Sequence, residues 1–532
     1  MTAQTSVPTA PAPQMPSAAT GQLVHWQAPL LILVIGAFMA VLDTSIINVA
    51  LPDMINVFGV DQQGIEWVST AYTLALGVIT PLSAWLGAKF GIRRMYVVAL
   101  IIFTIGSGLC AFSWSLNSMI AFRIVQAVGG GLIMPAVQAM MVRMVPRNQL
   151  GAAGGIFGMA ILLAPAIGPT LGGYLVEFVD WRWIFTINIP IGLIAIFLAL
   201  RGVPDVAPTP AGKFDWWGAI AIATALFALL LATSEGSSWG WGSQSIVLLL
   251  YLSAVSFIFF VWWELHTESP LLNLRLFKYR TFAIANVLLM VISISLFGVL
   301  FYLPVYMQSI RGLGAFQSGY LQLLPALLTG LVMPFAGRMY DKVGPRVLVP
   351  TGLLLIALGM FFFRQLTIET AFFSIIWWNC VRSVGMGLAM IPVQSASVSE
   401  IPPMQAGQAS AITNVINRLG GAFGVVIMVQ LFDHYNHLEQ AGYANLLQQG
   451  NVPQQNAVAA AIAKLQASGL DLAHAQAAFN ALIQRQIGTT VFTNTFDIVM
   501  VIIAIALVIC AVAALALKKG KVASEPGHAV MD

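Results

Sequence analysis

Residues 28–52 read APLLILVIGAFMAVLDTSIINVALP. A bilayer is crossed by about 20 mostly apolar helical residues, and this stretch is longer than that with one ionisable side chain, Asp43. Its reading sets the solvent, and the rest of the chain agrees. Of the 532 residues, 59% are hydrophobic and only 8% charged, against about 25% charged in soluble domains. Aqueous enzymes, nucleic-acid binders and secreted scaffolds are excluded. What remains is an all-α membrane protein, because only helices and closed barrels satisfy their own backbone groups in lipid.

Thirteen further segments of spanning length follow, at about 66–88, 96–115, 117–142, 150–175, 181–201, 214–234, 245–264, 282–308, 315–338, 347–364, 369–393, 407–433 and 490–517. Lys and Arg orient them. With the N-terminus inside, sixteen basic residues fall in inside loops, five outside, and Arg123, Arg382 and Arg418 within spans. That bias places both termini in the cytoplasm. Residues 1–27 lack Lys and Arg and are rich in Pro, Ala, Ser and Thr, which predicts a disordered cytoplasmic lead-in without a cleavable signal peptide. The tail is 518–532, also cytoplasmic. Cys110, Cys380 and Cys510 lie far apart in apolar runs, a spacing that suggests neither disulfides nor a metal site.

The chain repeats itself. The loop after the second span reads Ala84-Trp-Leu-Gly-Ala88-Lys89-Phe-Gly91-Ile-Arg93, and the loop after the tenth reads Gly337-Arg-Met-Tyr-Asp341-Lys342-Val-Gly344-Pro-Arg346. Arg123-Ile-Val-Gln126 runs on to Gly131-Leu-Ile-Met-Pro135-Ala-Val-Gln138. Arg382-Ser-Val-Gly runs on to Gly387-Leu-Ala-Met-Ile-Pro392-Val-Gln394, which sets Arg382 opposite Arg123. Two six-span bundles, 28–201 and 265–517, with two inserted spans at 202–264, would produce this pattern. Parallel halves of that kind place a transport site near the midplane.

Five patterns make the chain resemble the major facilitator superfamily from about residue 28 to 517, and within it the fourteen-helix drug:proton antiporters of the EmrB/QacA type. They are Leu42-Asp43-Thr-Ser-Ile-Ile-Asn48-Val-Ala50-Leu51-Pro52, the basic loop with its second-half copy, and Arg123-Ile-Val-Gln126-Ala127. The fourth is the fifth-span series Gly155, Ala164, Gly168, Pro169 and Gly172, and the last is Trp181-Arg182-Trp183-Ile-Phe-Thr-Ile-Asn188-Ile-Pro190. The family pattern has Gly at 84 and 164 and Asp at 88, where this chain has Ala.

The resemblance implies a proton-coupled exporter of lipophilic drugs working by alternating access in a bacterial inner membrane. Protons, the drug and membrane lipid would be its partners. There would be no nucleic acid, no catalytic residues, no bound metal and no cofactor beyond the proton gradient. Asp43 would carry the proton, with Arg123 and Gln126 as modulators. A carboxylate inside a span must face protein or water, so a purely structural hydrogen bond is the rival reading of Asp43.

The resemblance assigns gating to Lys89, Gly91, Arg93, Gly337, Asp341, Lys342, Gly344 and Arg346, whose rival role is topological anchoring. The series Gly155, Gly168, Pro169 and Gly172 separates antiporters from uptake symporters. Asn48, Arg382, Arg418 and Asp497 are further candidates for substrate or coupling contacts. The segment 434–489 reads as a long outer loop with an amphipathic helix at 473–487. It would lie over the membrane or the bundle, or meet a periplasmic adaptor protein as in EmrB-like members. A nutrient symporter and a non-transporting sensor or scaffold are the competing functions. The scarcity of embedded acid in spans 9 to 13 favours neutral, zwitterionic or weakly acidic substrates.

Overall fold

The computed structural model describes residues 25–146, 149–205, 212–367, 369–448, 452–467 and 471–517. The lead-in expected at 1–27 and the tail at 518–532 fall almost wholly outside them. Among the described residues every regular element is helical. In order they are α1 (Gln27–Phe58), α2 (Gln62–Ile79), α3 (Ser83–Phe90), α4 (Ile92–Ala111), α5 (Leu116–Met144), α6 (Leu150–Phe178), α7 (Trp183–Thr186), α8 (Asn188–Gly202), α9 (Trp216–Trp239) and α10 (Gln244–His266). Then follow α11 (Arg280–Val305), α12 (Ala315–Val343), α13 (Pro345–Phe363), α14 (Phe372–Ser399), α15 (Ala406–Gln448), α16 (Val452–Ala467) and α17 (Leu472–Ala514).

Thirteen described spans are long and apolar enough to cross a membrane, α2 and α3 counting as one through the turn at Thr80–Leu82. The expected span at 407–433 lies inside α15, which carries Asn414, Asn417 and Arg418 there and is not among the thirteen. Local chemistry starts and stops the helices. The Asp61 carboxylate accepts from Gly64 N at 2.8 Å, and Ser115 and Ser118 cap α5 reciprocally. Gly91 and Gly344 turn the chain between α3 and α4 and between α12 and α13 with φ of +87° and +81°. Only glycine takes that backbone readily, so the loop repeat has a steric cause.

Two large apolar cores result. One joins α1, α2, α4, α5, α6 and α8, with Leu33, Tyr96, Phe103 and Met140 fully buried. The other joins α11, α13, α14 and α17 around Leu303, Ile356, Phe363 and Met500. A third cluster lies where α9, α10 and the start of α11 meet α3 and α15.

One expectation changes and another gains detail. The described part of 434–489 is helical. The α15 helix runs on to Gln448, and the amphipathic segment 473–487 is the first part of α17, continuous with the last span. Ala and Gln are strong helix formers and neither helix contains Pro beyond its span, so nothing breaks the extension. The repeat is also set in a different register. A Cβ on Gly106 would strike Gln126, and one on Gly359 would strike Arg382. Gly129 packs on Ala99 and Phe103 as Gly385 packs on Gly352 and Ile356. Arg382 therefore occupies the place of Gln126, and Asn379 the place of Arg123.

Candidate functional site

Asp43 sits midway along α1 with 1% of its surface exposed. An unpaired carboxylate there would cost several kcal/mol, and three neighbours prevent that. Arg123 Nη1 on α5 donates to Oδ2 at 2.6 Å, while Gln126 Nε2 and Asn188 Nδ2 donate to Oδ1 at 2.8 and 2.9 Å. Arg123 is itself wholly buried. Its Nε donates to the Val68 carbonyl at 3.3 Å and its Nη1 also reaches Gln126 Oε1 at 2.7 Å. The guanidinium stacks 4.0 Å from the Tyr72 ring centroid and 5.7 Å from that of Phe185. Arg123 and Gln126 are three apart on one helix face, so the helix pitch alone aims both at α1.

Asn188, quoted above only within the sixth-span motif, lies in the site. At the start of α8, Asn188 points inward and donates to Asp43 and to Ser107 Oγ, the latter at 3.0 Å. An amide inside an otherwise apolar run was the available signal. Asp215, Glu235 and Glu264 on the inserted helices are also buried, and the same signal marks them. Asp215 accepts from Trp263 Nε1 and Gly218 N, and Glu264 from Leu271 N and Leu272 N.

The second-half candidates do not join this cluster. Arg382, 7% exposed, makes one bond, Nε to Asn379 Oδ1 at 3.0 Å, and its Nη1 has no partner. Packing matches Gly168 against Ser45 with Gly420 against Ser293, and Gly172 against Ile46 with Gly424 against Ile294. That register puts Val291 where the first half has Asp43. Arg418 is half-buried and close enough to Tyr72 to interact electrostatically. Asp497, within α17, has a side chain 36% exposed at the protein surface and meets Arg364, which follows α13, at 3.0 Å. Asn48 is exposed on α1.

At the end of the bundle carrying the basic loops, the two copies differ. Asp341 accepts from Gly151 N and Ala152 N at 3.1 and 3.2 Å, capping the first turn of α6 across the two halves. A Cβ on Gly155 would lie 2.5 Å from Pro334 Cα, and Gly337 meets Gly151 backbone to backbone. Close contact of this kind needs glycine. Gly168 and Gly172 bring α6 onto α1 in the same way, while Pro169 faces outward. In the first copy Ala88 offers no acceptor, Lys89 Nζ lies 4.4 Å from the Trp85 ring centroid, and Arg93 donates to the Leu200 carbonyl. Lys342 is exposed, and Arg346 donates to the Leu517 carbonyl. Gln138 and Asn414 join α5 to α15 at 2.7 Å.

Residues 33–425 match the sequence profile of the Major Facilitator Superfamily. The chain belongs to this superfamily. Among its relatives, the uncharacterised MFS-type transporter YhcA of Bacillus subtilis is 34% identical over 429 residues, covering 79% of this chain and 80% of that one. The Multidrug resistance protein B homolog of Mycobacterium tuberculosis is 33% identical over 413 residues, with 76% of each chain covered. The solved proton:xylose symporter XylE shares the fold with a TM-score of 0.58 at 13% identity, over 93% of this chain and 96% of that one. Among the described residues no His, Cys, Asp and Glu cluster could hold a metal.

Proposed function

We propose that this transporter exports lipophilic small molecules in exchange for protons, by alternating access across a bacterial cytoplasmic membrane. The observation that carries the reading is the buried Asp43, fully engaged by Arg123, Gln126 and Asn188. A proton arriving at Asp43 cancels its charge and removes the partner of Arg123. The guanidinium keeps the Val68 carbonyl, Gln126 Oε1 and the two ring faces. Protonation thus exchanges an ion pair for a free buried cation, a change large enough to favour a different packing of α1 on α5. The basic-loop end, read as cytoplasmic, is joined by Asp341 and by Gln138 with Asn414, so this arrangement is closed there.

Resemblance to relatives named for multidrug and lincomycin resistance supports a drug substrate. The one deeply buried acid among the facing helices is already neutralised, while Arg382 and Arg418 have no acid within ion-pair distance among the described residues. That balance supports neutral, zwitterionic or weakly acidic substrates over organic dications.

The test uses purified protein in proteoliposomes with an imposed pH gradient. Wild-type protein should move a lipophilic weak acid against the proton flow, and Asp43→Asn should abolish the coupling. Unchanged coupling in Asp43→Asn, or movement of substrate with the protons, would remove the reading. Preferential transport of an organic dication would overturn the substrate class alone.

A further inference from the structure

The halves meet at the basic-loop end along two lines related by the repeat, and only one is capped by a carboxylate on a helix N-terminus. On that line the Asp341 carboxylate sits on the α6 N-terminus and Gly155 lies against Pro334. On the other, Ala88 replaces the acid. Gly407 stands thirteen residues before Gly420, as Gly155 stands thirteen before Gly168, and a Cβ on Gly407 would touch nothing within 4 Å. The space left is a cavity of about 480 Å³ lined by Ala88, Gly407 and Gln408, a volume in the range of small-molecule sites, roughly 300–1,000 Å³.

Its charged lining is one-sided. Arg143, Lys213 and Arg275 face one acid, Glu268, and among the described residues none of the four is in an ion pair. Arg275 is spent in part on the Leu265 and Thr267 carbonyls. Arg143 is half-buried and its Nε is buried without a hydrogen-bond partner. A buried unpartnered guanidinium donor is costly, and a ligand oxyanion would satisfy it.

We propose that this cavity is an oxyanion site, taking a phosphate-type group from either a lipid headgroup or a soluble anion. The bound group supplies on this line the negative charge that Asp341 supplies covalently on the other. Arg143 and Lys213 hold it, and Ala88 leaves it room. Occupancy would tie α5, the insert and the start of α15 together, as Asp341 ties α12 to α6.

The experiment is thermal unfolding and ligand titration of the full-length protein in nanodiscs. One arm adds inorganic phosphate to phosphatidylcholine discs against chloride at equal ionic strength. The other replaces phosphatidylcholine by phosphatidylglycerol. Stabilisation in the first arm identifies a soluble anion and in the second a headgroup, and either supports the site. Arg143→Gln and Lys213→Gln should each weaken the apparent affinity roughly tenfold, the loss of one charge-assisted hydrogen bond. Ala88→Asp should remove the response while leaving the protein folded, because the installed carboxylate fills the place. No stabilisation in either arm, or equal stabilisation of wild-type, Arg143→Gln and Ala88→Asp proteins, would overturn the site. Neither arm depends on transport, so the result is separable from the export reading.

Discussion

The two halves carry the same helices in the same register and opposite electrostatics. In the first, Asp43, Arg123 and Gln126 form a closed, neutral network with Asn188. In the second, the matching places hold Val291, Asn379 and Arg382, and the guanidinium keeps an unpartnered Nη1. A duplicated bundle therefore does not imply a duplicated site. The packing glycines recur in both halves because backbones meet there, whereas the charged positions differ between them.

Removing the arginines one at a time should separate the two halves most strongly. Arg123→Met leaves Asp43 as a buried uncompensated charge and should cost about 3–5 kcal/mol in denaturant unfolding in nanodiscs. The double variant Asp43→Leu with Arg123→Met should recover most of that, because no charge is then stranded. Arg382→Met should be neutral or stabilising. An equal cost for Arg382→Met and Arg123→Met would show that the second half hides a counter-charge, and the asymmetry would fail.

A smaller effect sharpens it. Val291→Asp places an acid where the repeat puts Asp43, and Arg382 should meet it. The double-mutant cycle of Val291→Asp with Arg382→Met should give a favourable coupling of about 1–3 kcal/mol. A coupling near zero would mean that the register drawn from Gly420 and Gly424 does not carry over to side-chain reach.

Most of the fold was legible because its signals are physical and local. Long apolar runs, glycines at matched sharp turns and one acid in the first span each have a single economical explanation in lipid. Asp43, Arg123 and Gln126 stood out because charge inside a span demands a partner. Asn188 did not, since an amide carries no charge and its meaning depends on which helix its face meets. Arg382 was set opposite Arg123 because similar letters were aligned, while the true correspondence rests on which residue a glycine touches. The segment 434–489 was read as an outer connection with one amphipathic helix at 473–487, and the described part is helical more widely because Ala and Gln favour helix.

The two lines at the basic-loop end differ in the same way: Asp341 caps α6 on one, and Ala88 offers no acceptor on the other. Asp341→Asn keeps the shape of the side chain but loses the charge on two backbone donors at a half-buried site. It should destabilise the protein by about 1–2 kcal/mol, read as a lower Tm and as greater labelling of a cysteine placed at Gly337. Unchanged labelling would show that the close packing of Gly151, Gly155 and Pro334 holds this line without the carboxylate.

The smallest effect concerns Asp497, which the sequence placed among the embedded charges beside Asp43. Its carboxylate meets Arg364 at 3.0 Å, but the two side chains are 36% and 52% exposed, so solvent screens what burial would have amplified. Exposed pairs contribute about 0.2–1 kcal/mol, and Asp497→Asn should fall within that range, with a dependence on salt that Asp43→Asn lacks. Two acids in apolar helices would then differ several-fold in cost. The reason is that one carboxylate is part-exposed beside a part-exposed arginine, and the other is wholly enclosed by its partners. If Asp497→Asn instead cost as much as Asp43→Asn and ignored salt, the carboxylate would have to be sealed in the functional state. The line between topological and mechanistic charge would then have to be redrawn around α13 and α17.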